Sequence, residues 1–138
     1  MTALKTGEVA ENHGIVLSTV IIHTSRMKEL ASFYGRGLGL GEARPAGEDH
    51  LGFQLPNLYL GFDQVEDAPD PTGTISLWFD VDDIQVAFER FGSLAARVKY
   101  PPSRKPWGGC LAALYDPDGN LFGLSQVEKG TGIGEREG

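Results

Sequence analysis

Residues 107–126, WGGCLAALYDPDGNLFGLSQ, decide the fold. Two apolar runs, CLAALYD and NLFGLSQ, flank Pro117-Asp118-Gly119-Asn120. An Asp-Gly pair between such runs is a strong short-range signal for a β-hairpin, because both residues tolerate the backbone of a tight turn.

This hairpin has a counterpart earlier in the chain. LPNLYLGFDQ, residues 55–64, is similar to DGNLFGLSQ, residues 118–126, with Asn57 and Asn120 each before a β-run. Each copy opens with a β-rich run and an amphipathic helix: STVIIHT then SRMKELASFYGRGLGL, and ISLWFDV then DDIQVAFERFG. Met27, Leu30, Ala31, Phe33 and Tyr34 form one apolar stripe. Ile84, Ala87, Phe88 and Phe91 form the other, at helical spacing. Ser25 and Asp82 suit N-caps, and Gly35 and Gly92 suit helix ends. The offset between copies is 57 residues at the start and 63 at the end, so the second copy carries six extra residues. They fall in VKYPPSRKPWGG, residues 98–109, where three prolines argue against regular structure. EDAPDPTG, residues 66–73, reads as the linker. The pattern is an α+β fold, β-α-β-β-β twice.

Composition limits the function classes. A chain of 138 residues with 41% hydrophobic content suits one soluble globular domain. The net charge of −7 argues against nucleic acid, which needs clustered Lys and Arg. The longest apolar candidate, IVLSTVII at 15–22, suits a buried strand and is too short for a membrane span. MTALKTGEVAENHG lacks the order of a signal peptide, so a cytoplasmic location is expected. Cys110 is the only cysteine, which leaves no intrachain disulfide and no cysteine-based zinc site. It reads as a small buried strand residue. Residues 1–13 and 129–138 are expected to be flexible, with a single domain over 14–128 made of modules at about 15–65 and 73–128.

Four groups of residues together resemble the vicinal oxygen chelate superfamily, which includes glyoxalases, bleomycin resistance proteins and extradiol dioxygenases. They are Phe33-Tyr34 with Gly37-Leu38-Gly39, Val81-Asp82-Asp83, Pro106-Trp107-Gly108-Gly109, and Asp116-Pro117-Asp118-Gly119-Asn120. The resemblance covers about residues 15–128. It implies that each module curls into a half-barrel and that two half-barrels surround a cup-shaped cavity. It also implies homodimers, with a cup closed within one chain or between two.

In metalloenzymes of that superfamily, ligands come from the first and last strand of each module. The resemblance places these positions at Thr19, Leu60, Ser76 and Gly123. None is His, Asp, Glu or Cys, the donors a catalytic divalent metal needs. Gly123 leaves space where an acid would stand. The expectation is therefore no metal at the family site and no cofactor. A calcium loop at DPDGN is rejected, because the sixth and twelfth positions hold Leu121 and Val127 in place of Gly and Glu.

Strand alternation brings Ile21 and His23 to the side of Thr19, and Trp78 and Asp80 to the side of Ser76. Leu58 and Phe62 join Leu60, and Leu121 and Ser125 join Gly123. Trp107 is placed to fold over the mouth. The candidate ligand-binding set is Thr19, Ile21, His23, Leu60, Phe62, Ser76, Trp78, Asp80, Trp107 and Gly123, an apolar and aromatic lining with a few polar points. The repeat relates His23 to Asp80, a candidate imidazole–carboxylate pair for base catalysis. The alternative is two strand-end residues bonded locally or to water. His13 and His50 read as surface residues. A relocated metal site using His23, His50 and Glu42 or Glu48 has no support in spacing. Tyr100, Arg104 and Lys105 either meet an anionic ligand or form a solvated loop.

Two functions compete. One is a metal-independent protein that sequesters an aromatic or cationic small molecule such as an antibiotic. The other is a lyase, isomerase or dioxygenase-like enzyme with a displaced metal or with His23 as base. A third reading fills the cup with its own side chains and leaves function to a dimer surface.

Overall fold

The computed structural model describes residues 16–68, 70 and 75–126. The expectations for residues 1–13 and 129–138, and for His13, fall outside the described residues. The first module contains β1 (Thr19–Thr24), α1 (Met27–Leu38), β2 (Arg44–Pro45), β3 (His50–Gln54) and β4 (Tyr59–Gln64). The second contains β5 (Leu77–Asp80), α2 (Ile84–Ser93), β6 (Arg97–Arg104), β7 (Cys110–Tyr115) and β8 (Leu121–Gln126). Each module forms one four-stranded sheet, ordered β1-β4-β3-β2 and β5-β8-β7-β6. The first and last strands of each module pair in parallel, β1 with β4 and β5 with β8. The other pairings are antiparallel. The fold is α+β, and no closed barrel forms: β1 and β5 remain edge strands.

One face of each sheet packs on the helices, and the two packed faces share a core. Leu60 and Phe62 of β4, Phe122 and Leu124 of β8, and Ala112 and Leu114 of β7 are buried there, with Leu30, Phe33 and Tyr34 of α1 and Phe91 of α2. Phe122 sits among rings from both modules, with centroids 5.8 Å from Phe33, 5.3 Å from Tyr34 and 4.9 Å from Phe91. Such ring pairs add about 0.5–1.5 kcal/mol beyond their buried area. The two helices approach closely because α1 carries Gly37: a Cβ there would lie 2.1 Å from Cε1 of Phe91.

The helix starts differ from expectation by one residue. Arg26 and Asp83 occupy the cap positions expected for Ser25 and Asp82. Asp83 accepts a hydrogen bond from Val86 N at 3.1 Å, whereas Arg26 makes no side-chain cap bond. Each helix is also held by a glutamine at the end of its module's last strand. Gln64 Oε1 accepts from Met27 N at 2.9 Å, and Gln126 Oε1 accepts from Ile84 N at 2.7 Å. These bonds satisfy N–H groups that a helix start leaves without partners. Helix α1 runs past Gly35 and ends at Gly39, whose φ of 74° suits glycine. Helix α2 likewise continues beyond Gly92, to Ser93.

The equivalent glutamines are 62 residues apart, so the second module carries five extra residues where the Asn57–Asn120 match implied six. The proline-rich segment is also more regular than expected. It forms β6, an edge strand through Pro101 and Pro102, with register breaks between Val98 and Tyr100 and between Tyr100 and Ser103. Edge position and bulges are what allow proline in a sheet. The opposite outer edge, β2, also contains a proline, Pro45.

The Asp-Pro-Asp-Gly-Asn turn ties the modules together. Asp116 Oδ1 accepts from the backbone N–H groups of Asp118 and Asn120, each at 2.9 Å. Its Oδ2 accepts from the Tyr34 hydroxyl at 2.6 Å. Thr24 donates to Asp118 Oδ2 at 2.5 Å, and Arg26 Nε donates to Asp118 Oδ1 at 3.0 Å. Both aspartates therefore hold the start and middle of the first module's helix. Burial, and then the neighbouring Asp116 carboxylate, push the Tyr34 phenol well above its usual pKa.

Candidate functional site

Cross-strand pairing shows which side chains share the open face of each sheet, away from the helices. On the second sheet these are Trp78 and Asp80 of β5, with Ser76 just before it, and Gly123 and Ser125 of β8, since Trp78 pairs with Gly123 and Asp80 with Ser125. On the first sheet they are Thr19, Ile21 and His23 of β1, with Tyr59, Gly61 and Asp63 of β4 and His50, Gly52 and Gln54 of β3.

Strand β4 thus presents the opposite residues from those expected. Leu60 and Phe62 face the helix core, at 1% and 0% exposure. The cause is the one-residue difference in repeat offset, which exchanges every side chain between faces. Gly61, opposite Ile21, is the residue equivalent to Gly123, opposite Trp78.

The space at Gly123 is filled. The Trp78 indole lies across it, so a Cβ at Gly123 would meet Trp78 Cε3 at 2.0 Å. The indole N–H donates to Ser76 Oγ at 2.9 Å, which fixes the ring. Trp78 nonetheless keeps 44% of its surface exposed. On β8, opposite Asp80, the Ser125 hydroxyl is buried without a hydrogen-bond partner.

The first sheet has a polar arrangement instead. His50 Nδ1 lies 2.5 Å from Asp63 Oδ1, and His50 Nε2 lies 2.6 Å from the Tyr59 hydroxyl. The His50 and Tyr59 ring planes are nearly parallel, 14° apart. His50 is therefore half-buried and doubly bonded, not a free surface residue. The alternation in His50-x-Gly52 and Tyr59-x-Gly61-x-Asp63 puts each segment's polar groups and glycine on one side of its strand, and the β3–β4 pairing brings the two segments together.

His23 and Asp80 do not pair. His23 is opposite Asp63 and Asp80 is opposite Ser125, on different sheets, and no hydrogen bond or ion pair joins them. Thr19 has its hydroxyl 3.3 Å from that of Ser18. Trp107 folds onto its own turn, where a Cβ at Gly109 would lie 2.0 Å from the Trp107 ring. Lys105 lies over the Tyr100 ring at 5.2 Å, and Arg97 over Tyr115 at 4.1 Å.

A groove of about 400 Å³ opens where the two modules meet. Its walls include Val20, Leu58 and Leu60 on one side and Leu77, Trp78 and Phe79 on the other. Leu38 and Leu40 lie at one end, and Asp80 adds a carboxylate. Leu60, Trp78 and Asp80 are the members of the expected ligand-binding set that line it.

Residues 16–124 match the family described as Glyoxalase/Bleomycin resistance protein/Dioxygenase superfamily. The chain belongs to this superfamily. No curated protein matches the sequence. Among similar solved structures is a bleomycin resistance determinant encoded on transposon Tn5, at 23% identity and TM-score 0.65, covering 83% of this chain and 100% of that one. A glyoxalase-related enzyme from Fulvimarina pelagi is similar at 18% identity and TM-score 0.66, covering 84% and 94%. A lactoylglutathione lyase from Agrobacterium tumefaciens is similar at 17% identity and TM-score 0.62, covering 80% and 92%. At these identities the likeness concerns the fold. The superfamily contains both binding proteins and enzymes.

The superfamily's metalloenzymes raise the question of a metal. The four equivalent positions here are Thr19, Gly61, Ser76 and Gly123, with Gly61 replacing the Leu60 expected from sequence. Two lack side chains, one hydroxyl holds an indole, and the fourth is a neutral Thr. This donor set does not fit a catalytic divalent cation. Among the described residues no three His, Cys, Asp or Glu side chains form a group able to hold one. His23, His50, Glu42 and Glu48 do not converge, and both His50 ring nitrogens have partners. Among the described residues, no helix is long and apolar enough to cross a membrane.

Proposed function

We propose that the protein binds a small organic molecule without a metal at the four superfamily positions. The supporting observation is the Trp78 indole, hydrogen-bonded by Ser76 and lying over Gly123 where a metal-binding acid would project. An aromatic platform suits an aromatic or cationic guest, since a ring face attracts cations. The net charge of −7 adds long-range attraction for a cation. The apolar groove lies beside the same tryptophan, and Asp80 supplies a carboxylate at its wall. Acting in the cytoplasm as a homodimer, the protein sequesters such a compound, with a second copy completing the cup above Trp78.

The test is a thermal-shift screen of dialysed protein against bleomycin and other cationic aromatic compounds, with metal content measured on the same sample. A ligand at 100 times its Kd stabilises the fold by about 2.7 kcal/mol. W78A is expected to abolish that shift. Stoichiometric zinc, nickel, iron or manganese surviving dialysis overturns the proposal, as does binding unaffected by W78A.

A further inference from the structure

We propose that Asp63, His50 and Tyr59 form a proton relay that makes the Tyr59 hydroxyl an acid–base group for a small oxo acid. The inference is independent of Trp78 and concerns the open face of the other sheet. An ionised carboxylate only accepts hydrogen bonds, so the 2.5 Å contact to Asp63 places the ring proton on His50 Nδ1. A ring that carries its proton at Nδ1 alone offers a lone pair at Nε2, to which the Tyr59 hydroxyl donates across 2.6 Å. This order leaves the Tyr59 oxygen free to take another proton as it gives up its own.

The backbone makes room for this arrangement. Tyr59 lies flat over Gly52, where a Cβ would come within 1.9 Å of its hydroxyl oxygen. His50 and Ile21 crowd Gly61, where a Cβ would lie 2.6 Å from His50 Cε1 and 2.7 Å from Ile21 Cδ1. The relay is half-buried, with His50 at 19% and Asp63 at 38% side-chain exposure. Water is thereby reduced around His50 while the face stays open.

The neighbouring charge indicates the substrate class. Arg44 pairs with Gly52 across β2 and β3, which places it on the same face, one strand outward from the Tyr59 hydroxyl. It is exposed and makes no ion pair with any described residue. A guanidinium suits a carboxylate, which it binds through two parallel hydrogen bonds. The fitting substrate is a small carboxylate with an adjacent carbonyl and an acidic C–H.

The step is a keto–enol isomerisation. The substrate C–H proton passes to the Tyr59 oxygen while the Tyr59 proton passes to His50 Nε2, and Asp63 holds the resulting imidazolium. Return of one proton to the enolate oxygen and one to Tyr59 restores all three residues. No oxidant, metal or co-reactant is consumed. Tyr59 is the catalytic residue, and His50 and Asp63 are positioning residues.

The test follows C3 hydrogen–deuterium exchange of phenylpyruvate and oxaloacetate by NMR with the full chain. The wild type is expected to accelerate exchange above buffer, and Y59F to remove about 100-fold or more of that rate. H50Q and D63N are expected to lower kcat with little change in KM, and R44Q to raise KM. Independently of substrate, a downfield His50 Nδ1–H signal is expected in the wild type and is lost in D63N, with melting temperatures checking the fold. A proton found on Nε2, or wild-type exchange no faster than buffer, overturns the proposal. So does Y59F at full activity.

Discussion

The two halves of the molecule share a backbone plan and differ on their open faces. On the second sheet an indole covers Gly123 and donates its N–H to the Ser76 hydroxyl just before β5. On the first sheet the equivalent Gly61 is crowded by an imidazole that joins Asp63 to Tyr59. Both surfaces use glycine to let rings lie flat, but one is an aromatic platform and the other a chain of polar groups. Equivalent backbone positions thus tolerate opposite chemistries, because the shared core lies entirely on the other side of each sheet. The modules diverge where packing imposes least.

The largest effect is expected where the halves are inseparable. F122A removes a ring that touches both helices and costs about 3–5 kcal/mol. A single cooperative loss of both modules, seen by urea unfolding monitored at far-UV and near-UV wavelengths, is the expected outcome. Separate transitions break the view of one shared core.

The open faces are compared by G123A and G61A. Each adds a Cβ inside a ring's space and is expected to cost about 1–3 kcal/mol. Only G123A displaces Trp78, so only it is expected to red-shift tryptophan emission. Equal spectra for the two variants remove the distinction between the faces.

The link between the halves is sensitive to pH. The Tyr34 phenol is held protonated by burial beside Asp116, so its folded pKa lies above the unfolded one. Its contribution is fully present below about pH 10 and is lost as pH rises beyond that, because the unfolded chain releases this proton first. Y34F is expected to cost about 1–2 kcal/mol at neutral pH and to flatten the fall in stability at alkaline pH. Chemical denaturation at pH 7 and above pH 10 measures both.

The smallest effects concern the glutamine clamps. Q64A and Q126A each remove one bond to a helix start and are expected to cost about 1 kcal/mol apiece. Matched losses confirm the internal symmetry, and a loss in one alone limits it to the backbone.

The doubled order of elements was legible because two hairpins and two helical stripes repeat in the same sequence order. The face of β4 was not. Asn57 and Asn120 look alike but belong to turns of different length, whereas Gly61-x-x-Gln64 and Gly123-x-x-Gln126 mark the true equivalence. Nor were the bonds from Gln64 and Gln126 to the helix starts, since both residues are distant in sequence from the helices they hold. The His50 cluster was hidden for a related reason. Its three members come from two strands, and only their pairing reveals that they adjoin. The filling of Gly123 by Trp78 likewise depends on the β5–β8 register, which no local pattern encodes.

The prolines at the outer edges have a consequence for how this molecule meets its own kind. Pro45 on β2, and the Pro101-Pro102 pair on β6, reduce the backbone donors of the two outer strands, at the rims where another chain's strand would add. Strands β1 and β5 contain no proline. Growth by strand addition is discouraged at both outer ends and left to two inward margins, which favours finite assemblies over fibres.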